Sequence, residues 1–364
     1  MSSQTYKIHL GPQHPSTHGV LHVILELDGE NIIGCETDIG YLHRGFEKIS
    51  EGRTYKQVTP YLDRLDYLAG MSNNLVYVQT IEKMMQIEVP ERAKYIRVIV
   101  AELMRIASHM VGVGIYALDL GAITGVFYPF IQREKVLDLF SNLCGSRMTF
   151  NYLRFGGVLN DIDQDFIDGT KLFLKELPAM LNEFHLLLDR NELFVSRTKG
   201  IGVISKNMAE DFGLTGPNLR ASGSTYDIRK AAPYEVYDRF SFAVPTGQQG
   251  DCYDRYMVRM LEIEESMKII TQALEQLPEG DHMAKVPKVI KPEPGHCYHQ
   301  AENPKGAFGC FIVSDGSPKP YRVHFRRPSF NNISIFDQVA IGYKIADFIA
   351  IIASFDFVLG EVDA

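Results

Sequence analysis

The stretch from Met110 to Ile131, MVGVGIYALDLGAITGVFYPFI, is over twenty residues long and holds a single charge, so it belongs either in a bilayer or deep inside a large protein. Gly112, Gly114, Gly121 and Gly125 interrupt it, Asp119 stands near its middle, and it continues a helical pattern that starts at Glu91 with several charged positions. A carboxylate in mid-bilayer is costly, which favours the protein interior. The expectation is a helix wholly inside the fold, with Asp119 a buried carboxylate that must find a partner or stay protonated. The alternative is that Asp119 simply caps the helix end before Gly121.

A chain of 364 residues with 45% hydrophobic content can bury such a helix, as one large domain or two closely joined ones in a soluble fold. The formal charge of -8 argues against nucleic acid, which requires a concentrated basic face. Cys35, Cys144, Cys252, Cys297 and Cys310 form no CxxC pair, and the N-terminus lacks a basic-plus-apolar leader. Neither a disulfide scaffold nor export is expected, which places the chain in the cytoplasm or on the cytoplasmic side of a membrane. The sequence shows no cluster-binding cysteine run, no Walker motif and no GxGxxG at a strand–helix junction, so no cofactor motif of its own is found.

Near the N-terminus, Gly11-Pro-Gln-His-Pro-Ser-Thr-His-Gly19 spaces His14 and His18 four apart between turn-forming residues. Pro12 and Pro15 fix backbone angles, so the pair is expected on a rigid turn loop rather than a helix. The pattern alone fits three uses: metal ligands, a proton-donating pair, or histidines that satisfy a buried turn.

Residues 20–27 and 32–38 flank Asp28-Gly29-Glu30-Asn31 and read as a β-hairpin. Helical spacing follows over 62–87 and, after Pro90, over 92–118, with further helices expected near 131–143, 163–190 and 252–276. Five prolines mark 277–306 as a connection, FIVSDG and YRVHFRR suggest a second hairpin, and 337–352 a last helix. The chain thus divides into a hairpin region with the histidine loop (1–50), a helical core (51–276), the connection (277–306) and a C-terminal hairpin and helix (307–364) packing back as a single compact unit.

GPQHPSTHG, DIGYLHRGFEK at 38–48, LDRLDYLAG at 62–70, ALDLGA at 117–122, NYLRFGGV at 151–158, LRASG with YDIRK at 219–230, GDCYDRY at 250–256, SDGSPKPYRV at 314–323 and the terminal GEVDA together resemble the 49-kDa-type subunit family of respiratory complex I, over nearly the whole chain and in family order. That family in turn resembles the large subunit of nickel–iron hydrogenases. The resemblance implies an α+β, mainly α, hydrogenase-like fold: a central bundle of long helices with small β-sheets at its periphery. Hydrogenases hold nickel with two CxxC pairs; the matching positions here are Asp66 and Ala69, then Val358 and Glu361. None is cysteine, so the soft ligands that bind nickel are missing, while the cavity itself can remain.

What the resemblance implies is that this cavity receives the head group of a quinone, menaquinone or ubiquinone. His18 and Tyr67 would hydrogen-bond the two quinone oxygens, with Asp119 the partner of His18 and His14 shaping the same loop. Imidazole and phenol both donate, as a two-electron, two-proton reduction requires. Leu68, Met71, Asp356 and Val358 would line the pocket, and Phe127 is a candidate for the tail path. Arg44, Arg64, Thr149 and Arg154 would lie near the subunit that carries the terminal iron–sulfur cluster. Without the resemblance, Tyr67 reads as a core aromatic, Arg44 as a surface cation, and Glu102 with Arg105 as an intrahelical pair.

Two positions depart from the family pattern. Thr149 stands where many members have a histidine near the terminal cluster; losing a protonatable group there lowers the expected potential and its pH dependence, which favours menaquinone. The region between Pro287 and Lys305 is short, which leaves the electron donor open between NADH, ferredoxin and another carrier. The expected role is a subunit of a proton-translocating NADH-quinone oxidoreductase, active only within the complex and peripheral on the cytoplasmic side of the cell inner membrane. Iron–sulfur clusters, FMN and NADH would belong to other subunits, and peripheral-arm and membrane-arm subunits would be its partners. The alternatives are a related membrane-bound complex with another donor, or a non-catalytic scaffold.

Overall fold

The structure is a computed structural model that describes residues 5–14, 17 and 19–364. At its N-terminal end β1 (Thr5–Leu10), β2 (His22–Asp28) and β3 (Asn31–Asp38) form an antiparallel sheet in the order β1-β2-β3. The β2–β3 hairpin is the expected one, and Leu21, Val23, Leu25 and Leu27 point into the core at a two-residue period. Strand β1 was not expected; it is a mostly exposed edge whose only fully inward residue is Leu10.

Short helices α1 (Phe46–Glu51) and α2 (Tyr55–Leu62) lead to α3 (Gly70–Met85) and α4 (Glu91–Asp119). The helical spacing over 62–87 overstates the helix, because α3 begins only at Gly70. Residues 63–69 turn instead: the Asn73 amide donates to the carbonyls of Leu62 and Asp66, both at 3.1 Å, and the Leu68 N–H donates to the Asp66 carboxylate at 3.0 Å. Side chains thereby satisfy the backbone that a continuous helix would have satisfied. Tyr67 consequently lies on a turn, not on an amphipathic helix.

Helix α4 is, among the described residues, the one helix long and apolar enough to cross a membrane, and most of its apolar length is buried inside the fold. Around it pack α3, α5 (Phe127–Cys144) and α11 (Cys252–Glu275), with α6 (Gln164–Asp189) against α5 and α11. The N-termini of α6 and α11 are capped by Asp163 and Asp251, each accepting from the backbone N–H three residues on. The two-residue strands β4 (Leu153–Arg154) and β5 (Gly157–Val158) run between α5 and α6, and the short helices α7 (Glu192–Ser196), α8 (Lys206–Asp211), α9 (Pro217–Ala221) and α10 (Ile228–Ala231) between α6 and α11.

A second three-stranded antiparallel sheet joins β6 (Gly295–Asn303), β7 (Gly306–Ser314) and β8 (Arg322–Arg326) in sequence order. Strand β6 occupies the second half of the expected proline-rich connection. Pro278, Pro287, Pro292 and Pro294 all precede it, and Pro304 falls in the two-residue turn to β7, so none interrupts its hydrogen bonding. The chain closes with α12 (Pro328–Ile333), α13 (Phe336–Val339), α14 (Ile345–Ser354) and α15 (Leu359–Val362). The single last helix expected over 337–352 is split near Gly342, whose φ of 86° leaves the helical region. One apolar core cluster runs from Leu10 to Ala364, so the architecture is mainly α with small peripheral sheets.

Candidate active site

A cavity of about 260 Å³ opens where the turn before α3 meets α4 and the segment after α14. Its walls are Tyr67 and Leu68 from the turn, Val111, Gly112 and Ile115 from α4, and Ile352, Ala353, Asp356, Phe357 and Val358 from the C-terminal segment. Successive turns of α4 present Gly112 and Ile115 on one face, and Gly112 is fixed by its neighbour. A Cβ there would lie 2.7 Å from the Asp356 carboxyl carbon, so only glycine lets that carboxylate approach the helix. Asp356 itself adopts φ 53°, a left-handed conformation uncommon outside glycine.

Behind this wall lies a charged cluster. Lys305, in the turn between β6 and β7, is almost completely buried, and its ammonium contacts Asp356 Oδ2 at 3.1 Å, Ser108 Oγ at 3.3 Å and Asp66 Oδ2 at 3.7 Å. Burial pulls its pKa down, but the Asp356 and Asp66 carboxylates outweigh burial and hold it above the usual range. Asp66 is pushed up, chiefly by burial. Glu361 on α15 is fully buried and pushed up to about 7, first by burial and then by the Asp66 charge. One Glu361 oxygen accepts from the Ser329 N–H at 2.9 Å, and Oε1 finds no hydrogen-bond partner among the described residues. Arg259 Nε adds a second cation 3.7 Å from Asp356. The Tyr67 ring is 40% exposed, yet its phenol is held above its usual range, mainly by burial and then by Asp66.

A second group gathers about Asp63, one turn upstream. Its carboxylate accepts from the Asn74 amide at 2.5 Å and the Asn151 N–H at 3.0 Å, and burial pushes it up to about 7 although the Arg64 and Arg154 charges oppose this. Arg44 and Arg64 are exposed; Arg44 donates to the carbonyls of Arg64 at 2.8 Å and Gly360 at 3.0 Å. Arg154 donates to Asn151, and the Thr149 carbonyl accepts from Ser146 at 3.0 Å. The 149–154 turn and the Arg64 turn thus meet on one side of the molecule through Asp63.

The structure brings Tyr67, Leu68, Asp356 and Val358 to one cavity. Met71 is fully buried on α3 and does not line it. Phe127 is exposed and borders a separate surface hollow. Asp119 is half-buried at the C-terminal end of α4, with its carboxylate Oδ2 enclosed. His18 lies outside the described residues, so its expected pairing with Asp119 does too. His14 is half-buried; its carbonyl accepts from the Thr17 N–H at 3.1 Å and the Thr17 hydroxyl at 2.8 Å, which folds the loop on itself. Gly19 rests against Leu359, so the histidine loop meets the C-terminal segment.

Glu102 and Arg105 do bond, at 3.1 Å, but the intrahelical pair is only part of what they do. Both are buried, and Glu102 also accepts from Arg229, Tyr237 and Ser266, which ties α4 to α10 and α11. Its pKa falls to about 2 because the arginines and hydroxyl donors outweigh burial. The larger cleft of about 840 Å³ beside Gln79 and His299 is a weaker candidate, since its buried acids Glu82 and Glu235 are already paired with Arg97. Sequence reasoning missed Lys305 and Asp63 entirely, and met Asp66 and Glu361 only as positions lacking cysteine. The signal that marks them, a charge enclosed by distant segments, exists only in three dimensions.

A family model described as respiratory-chain NADH dehydrogenase, 49 kDa subunit, matches residues 119–294 and 285–364. The D subunit of NADH-quinone oxidoreductase from Carboxydothermus hydrogenoformans is 56% identical and that from Desulforamulus reducens 53% identical, each over 100% of both chains. Its counterpart from Clostridium beijerinckii is 55% identical over 100% of this chain and 98% of its own. With the match spanning more than half of the sequence and the relatives its full length, the chain belongs to the 49 kDa subunit family of the respiratory-chain NADH dehydrogenase.

Proposed function

We propose that this chain forms the quinone-reduction site of a proton-translocating NADH-quinone oxidoreductase, jointly with the subunit that carries the terminal iron–sulfur cluster. The cavity carries the reading: a phenol donor at its mouth, apolar side chains around it, and on its wall a carboxylate backed by a buried lysine. At about 260 Å³ it is smaller than the ~300 Å³ lower end of common ligand pockets. It suits a ring-sized head group and leaves an isoprenoid tail to a surface completed by a neighbouring subunit.

The chemistry follows from Tyr67. Its raised pKa keeps the proton on the phenol against an oxidised carbonyl oxygen, which is a weak base. As electrons from the partner arrive, that oxygen becomes strongly basic and takes the proton. The interaction therefore strengthens along the reaction, which is what acceleration requires. In this reading His18, assisted by Asp119, serves the other oxygen, and Arg44, Arg64 and Arg154 face the cluster-bearing subunit. Thr149 in place of histidine favours menaquinone. FMN, NADH and the iron–sulfur clusters belong to other subunits, and the chain sits peripherally on the cytoplasmic side of the inner membrane.

The test is Tyr67→Phe in membranes, with quinone reduction normalised to assembled complex and an artificial acceptor confirming upstream electron flow. A fall of roughly a hundredfold or more, with upstream activity intact, is expected for loss of a general acid. Wild-type quinone reduction would remove Tyr67 from the site.

A further inference from the structure

The cluster behind the cavity contains more acid than it needs. Among the described residues Lys305 and Arg259 lie within 4 Å of Asp66 or Asp356, whereas no cation comes within 4.0 Å of the Glu361 carboxylate, so an ionised Glu361 would have no close counter-charge. Enclosing such a charge is expensive, and the usual resolution is that one carboxyl keeps its proton. Glu361 is that group by position. It is the member farthest from a cation, with one oxygen on the Ser329 N–H and the other without a hydrogen-bond partner among the described residues.

The groups that face Glu361 come from every side: Asp66 from the turn before α3, Lys305 from the β6–β7 turn, and Arg327 from the residue before α12, whose guanidinium takes the Glu361 and Val362 carbonyls rather than the carboxyl. Asp356 and Arg259 lie one contact further, and Tyr67 adjoins Asp66 in the chain while sharing the cavity wall with Asp356. Lys305 contacts both Asp66 and Asp356, and Glu361 and Tyr67 each feel the charges of Asp66 and Lys305, so the groups form an electrostatically linked series. It runs from Glu361 through Asp66 and Lys305 to Asp356 and the Tyr67 phenol.

We propose that Glu361 holds the proton that recharges Tyr67 after each quinone reduction, delivered through Asp66 and Lys305; this rests on the quinone reading above. The quinone gains two electrons from the reduced iron–sulfur carrier of a partner subunit and two protons. One proton leaves the Tyr67 hydroxyl for a quinone oxygen, and the other reaches the second oxygen from outside this cluster. The Tyr67 phenolate then takes a proton from the Lys305 ammonium. Lys305 regains one from Glu361 by way of Asp66, leaving Glu361 as a carboxylate that takes up a proton from solvent before the next turnover. With substrate and a neighbouring subunit covering the cavity mouth, this inner route is the one left open to the phenol. Glu361 acts through other groups and is a positioning and supply residue, not one that touches the substrate.

The test compares wild type, Glu361→Gln and Glu361→Asp in membranes containing the assembled complex, as quinone-reduction profiles against pH. Glutamine keeps the size and the acceptor for the Ser329 N–H but carries no labile proton. Wild-type turnover should decline as pH rises through about 7, where the supply group loses its proton. Glu361→Gln should lose roughly tenfold or more at acidic pH and show no such limb, with KM for quinone and artificial-acceptor activity unchanged; Glu361→Asp should restore a limb. A Glu361→Gln profile identical to wild type overturns the inference. Should that variant fail to assemble, Asp66→Asn is read the same way, and an unchanged limb there overturns it equally. Tyr67→Phe, measured in parallel, separates the two readings. Full activity in Tyr67→Phe defeats the quinone site and the proton supply together, whereas an inactive Tyr67→Phe with an unaltered Glu361→Gln defeats only the supply.

Discussion

Gly112 and Gly114 stand two residues apart on α4 and offer a matched pair of substitutions. In Gly112→Ala the new Cβ lies 2.7 Å from Asp356 Cγ and 2.8 Å from both carboxylate oxygens. Comfortable contact between heavy atoms is roughly 3.5–4.0 Å, so the carboxylate must retreat by roughly 0.7 Å or more. It has little freedom, because its backbone sits at φ 53° and Oδ2 is already held by Lys305 at 3.1 Å. The open direction is the cavity. Overpacking of this kind costs about 1–3 kcal/mol, while exchanging helical glycine for alanine returns about 0.5–1 kcal/mol. In Gly114→Ala the Cβ meets Pro129 and Phe130 at 3.4–3.5 Å, an ordinary distance, so only the gain applies. The two variants should therefore differ by about 1–3 kcal/mol, with Gly114→Ala the more stable. Urea unfolding of the purified chain, followed by circular dichroism because the sequence has no tryptophan, measures the difference. In assembled complex, Gly112→Ala should also raise KM for quinone and Gly114→Ala should not. Equal unfolding midpoints for the two variants would refute the close packing of Asp356 on α4.

Arg97 is buried between Glu82 and Glu235, so Arg97→Met strands two acids and should destabilise the chain by about 3–5 kcal/mol, seen as a lower urea midpoint that Glu82→Gln with Glu235→Gln partly restores. Asp63 and Glu361 both bind protons more tightly in the fold than in the unfolded chain, each with a folded pKa pushed up to about 7. Their stabilising contribution is complete below the unfolded carboxylate range and is lost as pH rises through about 7. The contribution of these two groups to the urea midpoint should accordingly fall between about pH 4 and about pH 7, and Asp63→Asn should flatten that part of the profile; an unchanged slope would contradict the burial of an uncompensated acid there.

Regular elements were legible where the apolar period was long. Helix α4 announced itself because an interior helix of that length leaves few polar positions, and the β2–β3 hairpin because Asp28-Gly29 stands between alternating apolar residues. The break before α3 was hidden, since it depends on Asn73 and Asp66 capturing backbone groups that the apolar period takes no account of. Strand β6 was hidden by Pro304, which signals a linker equally well whether it sits in an open loop or in a tight turn. At the site, family motifs led to Tyr67, Leu68, Asp356 and Val358, all on the cavity wall. Lys305 had no such signal. A lysine in a Pro-Lys-Gly turn looks like a solvated loop residue, and only the packing of α4, the 63–69 turn and the C-terminal segment around it makes it an interior cation. Asp119 was legible in part: its apolar neighbours suggested enclosure, and although α4 ends at that residue and leaves it half-buried, its Oδ2 is enclosed.

The cluster around Lys305 also constrains when the molecule can become itself. Asp66 emerges from the ribosome well before Lys305, and Asp356 and Glu361 follow later still; the Asp363 carboxylate then closes over the Gly40 and Leu42 N–H groups at 2.9 and 2.8 Å. Contacts this remote in sequence form slowly, because the loop-closure entropy must be met before they return any stability. A nascent chain that has reached Lys305 but not Asp356 would have to bury an ammonium against Asp66 alone. The helical centre can condense during translation, whereas the cavity wall waits for residues 356–361, so a ribosome that stalls before them releases a chain without a site and with the charges of its unfinished core still in water.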